Sequence, residues 1–162
     1  MDTLIDVLHI VGAVFIVGPM AILPMTAMRS LRGGNARQVA TLAKSTNVFT
    51  LLSVIVALLG FGAVGLSDPK YHLSVVTPWI LISIILYAIA LALNLFLVIP
   101  SMRSAAAELE ANSAAGGAPD LAAEGASDGT GVRTRGYGAI AGGSGIVALL
   151  LVAVVVLMVW RP

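Results

Sequence analysis

Four stretches of this chain, roughly 4–28, 48–66, 78–101 and 138–160, are too apolar and too long for a small fold in water to cover. A helix rises about 1.5 Å per residue, so about 20 such residues cross the ~30 Å hydrocarbon layer of a bilayer. A spanning helix also satisfies its own backbone, which hydrocarbon cannot do. Composition agrees: 59% of the residues are hydrophobic and 10% charged, against about 25% charged in an ordinary soluble domain. The expected fold is all-α, a four-transmembrane-helix bundle forming one integral membrane domain over residues 1–162.

Local signals mark the ends of the blocks. Gly18-Pro19 and Pro24 interrupt the first, and proline removes a backbone donor, so a kink is expected in that helix. Ser45-Thr46-Asn47 offers N-cap chemistry for the second, which closes through Gly60, Gly62 and Gly65 into Ser67-Asp68-Pro69. Pro78-Trp79 opens the third with proline at a first helical position. The chain starts Met1-Asp2-Thr3-Leu4-Ile5-Asp6, acidic where a secretory signal is basic, so the first block is expected to be retained.

Arg29, Arg32, Arg37 and Lys44 lie between blocks one and two, and Arg103, Arg133 and Arg135 flank blocks three and four. Only Lys70 and Arg161 fall on the other side. The positive-inside rule then places both termini outside and the 1–2 and 3–4 connections in the cytoplasm. Ser104 to Ala115 continues helix three. Residues 116–135 are Ala, Gly, Ser and Asp with almost nothing to bury, and read as a disordered cytoplasmic linker.

Net charge is +1 and cysteine is absent. Nucleic acid is therefore not an expected partner, and disulfides, thiolate metal sites and iron–sulfur clusters are excluded. Polar groups inside hydrocarbon are costly and carry the functional signal. At about 100° per residue, Ser83, Tyr87 and Asn94 share a narrow face of helix three with Ala90 between them. Helix two offers a matching face through Thr50, Ser53, Ala57 and Gly60. The stripe reads as a substrate or ion path, or as interhelical hydrogen bonding. The lack of charge on it favours packing. Gly138 and Gly142 make a GxxxG spacing for helix contact, within the chain or in an oligomer.

Asp2, Asp6 and His9 fall on one face near the outer end of helix one, spaced i, i+4, i+7. A carboxylate one turn away would orient the imidazole as ligating histidines require. The plainer reading is an outer helix end solvated by headgroups. His72, in the 2–3 connection, lies on the same side, so His9 and His72 are the candidate haem- or copper-binding pair.

The run Leu8-His9-Ile10-Val11-Gly12-Ala13-Val14-Phe15-Ile16-Val17-Gly18 resembles the opening of a bacterial, largely actinobacterial, family of small four-helix integral membrane proteins of unknown function. The basic 1–2 connection, the Asp-Pro turn before the Trp-bearing third helix and the hydrophilic stretch before helix four extend the likeness. More distantly, Leu-His-x-x-Gly is similar to the opening of copper-resistance D proteins and of the haem-binding type of protoporphyrinogen oxidase. Only His9 carries over from those. The resemblance implies a multi-pass protein of the bacterial plasma membrane.

No Ser-His-Asp set, intramembrane carboxylate pair, phosphate loop or metal-ligand cluster can be assembled, so an enzyme is not expected. A small proton-coupled transporter would need a titratable carboxylate at membrane depth, and every acid lies at an end or in a connection. The expected role is a non-catalytic accessory, assembly or scaffolding subunit of a membrane complex such as a respiratory one. Its partners would be lipid and another membrane protein or a second copy, with no resident cofactor. The alternative is a redox protein using His9 to hold haem b or copper.

Overall fold

The structure is a computed structural model that describes residues 2–66, 74–114 and 137–160. Among them every long element is a helix: α1 (Thr3–Arg32), α2 (Ala36–Gly65), α3 (Pro78–Ala114) and α4 (Tyr137–Trp160), each long and apolar enough to span a membrane. His72, the distal 3–4 linker and its expected disorder lie outside the described residues.

α1 and α2 are joined by a turn of three residues. Gly34 takes a positive φ of 68°, a backbone state open to glycine. Asn35 then caps α2, its Oδ1 accepting from the Gln38 N–H at 3.0 Å. The second helix thus begins a dozen residues before the apolar block, and Ser45-Thr46-Asn47 lies inside it rather than at a cap. The basic residues sit on helix ends protruding from the span, because arginine and lysine are good helix formers. Pro78 opens α3 at its first helical position, behind Thr77.

Proline is accommodated in one way in both α1 and α3. Ala13–Val17 and Asn94–Val98 are π-turns, closed by the Gly18 N–H donating to the Ala13 carbonyl and the Ile99 N–H donating to the Asn94 carbonyl. Pro19 and Pro100 follow directly. A proline ring collides with the carbonyl four residues back, and widening the turn ahead of it relieves that collision. Pro24 is buried inside α1, and the helix runs on to Arg32.

At the cationic end the four helices close into a ring: α1 on α2, α2 on the Ile99–Ala114 part of α3, and α4 on the Gly18–Arg32 part of α1. Met20, Ala27, Val39, Ala43, Val98, Met102, Ala105 and Ile140 fill its centre. Toward the other end, where His9 lies, the Asp2–Gly12 part of α1 packs on α2, and Pro78–Leu93 packs on α4. Arg32 donates a hydrogen bond to the Tyr137 hydroxyl and stands 5.5 Å from the ring centre, fastening the end of α1 to the start of α4. The outside of the bundle is oily. Phe96 is 82% exposed and Leu149 72%, as a lipid-facing surface demands and a water-facing one does not.

Candidate functional site

His9 packs against α2, and two features of α2 hold it. Its Nδ1–H donates to the Val56 carbonyl at 2.8 Å. Gly60 leaves room for the ring, because a Cβ there would stand 2.7 Å from His9 Cε1. Gly12, one turn along α1, faces Val56 in the same way, with a Cβ position 3.0 Å from Val56 Cγ2. A neutral imidazole that donates from Nδ1 keeps its lone pair on Nε2, and the hydrogen bond fixes the ring plane. The group that orients His9 is therefore a backbone carbonyl, not Asp6. Asp6 is exposed, and the ring points across the helix interface instead of along its own helix. Among the described residues no group of three or more His, Cys, Asp or Glu side chains converges as a metal site.

A polar seam lies deeper, between α2 and α3. Ser53 donates from Oγ to the Thr50 carbonyl at 2.7 Å, so the 2.8 Å contact with Tyr87 has the Tyr87 hydroxyl as donor. Thr50 donates to the Thr46 carbonyl at 2.7 Å and accepts from Asn94 Nδ2 at 2.9 Å, and Thr46 donates to the Leu42 carbonyl at 2.8 Å. Thr46, Thr50, Ser53 and Asn94 are fully buried. Hydroxyls in hydrocarbon return their protons to their own helix, and two side chains of α3 then join that chain. Among the described residues, Asn94 Oδ1 accepts from no group. Ser83, on the same face of α3, turns to the Trp79 carbonyl at 2.8 Å and stays out of the seam. Thr46 extends the seam by one turn beyond the face named from sequence; its spacing of four from Thr50 was the available sign.

The glycines of α4 divide between two faces. Gly143 is the close-approach residue inside the chain, where a Cβ would meet Val98 Cγ2 at 3.0 Å and Leu97 Cδ2 at 3.2 Å. Gly138 and Gly142 are exposed, and a Cβ on either meets nothing within 4 Å. Among the described residues, nothing fills their GxxxG groove. No sequence rule ranks Gly142 above or below its neighbour Gly143; only the rotation of α4 against α3 separates them.

Comparison with known proteins adds one finding. The model of a family described as predicted integral membrane proteins (DUF2269) matches residues 3–162, and the chain belongs to that family. No curated protein and no solved structure matches it.

Proposed function

We propose, taking membership of this membrane-protein family as the premise, that the chain is a non-catalytic accessory or assembly subunit. It receives a transmembrane helix of a second chain along the Gly138–Gly142 groove of α4. The carrying observation is that no described residue fills this groove while Gly143 does the internal packing. Without a hydrophobic drive between helices in lipid, association relies on close backbone approach, which small-xxx-small surfaces permit. The bacterial plasma membrane is the compartment that fits the reading, with both termini outside.

Because the chain has no cysteine of its own, one introduced thiol reports cleanly. Gly142→Cys, oxidised in native membranes, is expected to crosslink to a second copy or to another membrane protein carrying a cysteine near the groove. Leu58→Cys, on the 61% exposed lipid face of α2, is expected not to. Monomer from both variants, with no added band after bifunctional crosslinking, overturns the proposal.

A second reading rests on His9. The Val56 carbonyl holds Nδ1 and leaves Nε2 as the ligating atom, the arrangement that metal- and haem-binding histidines use. It makes the protein a haem b or copper carrier with one ligand from α1. A Soret band or bound copper in the protein purified from membranes, lost in His9→Ala, supports this reading; neither signal in the unaltered protein removes it.

A further inference from the structure

We infer that the cationic end of the bundle carries a binding site for the phosphate-bearing headgroup of an anionic phospholipid, at the turn between α1 and α2. A cleft of about 390 Å³ opens there, lined by Thr26, Arg29, Ser30, Gly33, Asn35 and Gln38. Every lining side chain is polar, and no acid occurs between Arg29 and Lys44 while Arg29, Arg32, Arg37 and Lys44 all do.

The hydrogen bonding occupies the backbone carbonyls of this turn and leaves three side-chain donor groups free beside two hydroxyl oxygens. The carbonyls of Arg29, Ser30 and Leu31 accept from the N–H groups of Gly33, Asn35 and Gly34. Asn35 Oδ1 is taken by the Gln38 N–H, leaving the Asn35 amide nitrogen as the free end of that side chain. Thr26 and Ser30 return their protons to α1 and present oxygen lone pairs. Among the described residues, the Arg29 guanidinium, Asn35 Nδ2 and the Gln38 side-chain amide donate to no protein group. A guanidinium flanked by two amides suits a phosphodiester, whose oxygens accept several bonds at once.

Depth selects the source of the phosphate. Asp6 is the last charged residue of α1 before Arg29, and about 20 residues of helix cover the hydrocarbon layer. Counted from Asp6, the layer ends at Thr26, so Arg29 and the cleft stand where phospholipid phosphates lie. A lipid there is held at the membrane surface by its chains and needs only its headgroup recognised.

The full chain, reconstituted in nanodiscs of phosphatidylcholine alone or with one third phosphatidylglycerol, tests this through its thermal midpoint. Phosphatidylglycerol is expected to raise Tm by about 2–4 °C. Arg29→Gln, at an exposed position, is expected to abolish that increment, each variant being read against its own Tm in phosphatidylcholine. Lys44→Gln removes the same charge about 9 Å along α2 from Gln38 and is expected to keep the increment. Equal Tm in the two lipids, an increment that survives Arg29→Gln, or equal loss in both variants overturns the inference. So does an equal rise with inorganic phosphate in phosphatidylcholine, which would make the site one for a free anion.

Discussion

Asn94 carries an amide into the apolar interior with one donor matched to Thr50 and its oxygen unmatched. The sign of each substitution follows from that asymmetry. Asn94→Leu keeps the side-chain shape and removes an unpaired acceptor along with the bond, and interhelical bonds in membranes average about 0.6 kcal/mol. It is expected to move stability by less than about 1 kcal/mol. Thr50→Val keeps the Asn94 amide buried and takes away its partner, so it is expected to cost about 1–3 kcal/mol. Unfolding of both variants and the double in one detergent checks this; a larger loss for Asn94→Leu than for Thr50→Val contradicts it. Helical period alone groups Ser83, Tyr87 and Asn94, because polar side chains are scarce in such a helix and each one stands out. It does not say which of them reaches α2. That depends on rotamer and on the other helix, and Ser83 turns to its own backbone. The Val56 carbonyl that holds His9 has no side-chain signature at all.

At the scale of one element, α3 is a residue too long for a straight α-helix. Its inward positions run Ser83, Tyr87, Ala90, Asn94 at steps of four, three, four, and then Val98, Met102 and Ala106 at steps of four. At about 100° per residue, repeated steps of four carry a stripe round the helix by about 40° each. The π-turn Asn94–Val98 takes up the extra residue and keeps the stripe on one face. Deleting Phe96, which faces lipid, is therefore expected to return the segment to α-geometry with both halves still in phase, and to leave a folded, monodisperse protein of lowered Tm. Deleting Ile89, also lipid-exposed but outside any π-turn, turns everything beyond it by about 100° and is expected to abolish folding. Size-exclusion profiles in detergent decide, and equal damage from both deletions refutes the account. The prolines signal a disturbance in the sequence; that it is a π-turn follows from the spacing of buried residues, visible once the neighbouring helices are in place.

For the whole molecule, the four spans were legible because a bilayer sets a length that composition either meets or misses. The protrusions beyond the bilayer were harder to bound. Residues 36–47 are polar enough to read as a connection, yet the Asn35 cap starts a helix there. The arrangement gathers Arg29, Arg32, Arg37, Lys44 and Arg103 at one end, with the Arg32–Tyr137 contact closing the ring, and the positive-inside rule assigns that end to the cytoplasm. Both the vacant glycine groove and the headgroup cleft take their biological meaning from a bundle inserted in this sense. Cysteine labelling of intact cells with a membrane-impermeant maleimide tests it most directly, on variants Ala40→Cys and Val75→Cys, both exposed and at opposite ends. The account predicts that Val75→Cys reacts in intact cells and Ala40→Cys only after lysis. Labelling of Ala40→Cys from outside, with Val75→Cys protected, contradicts it.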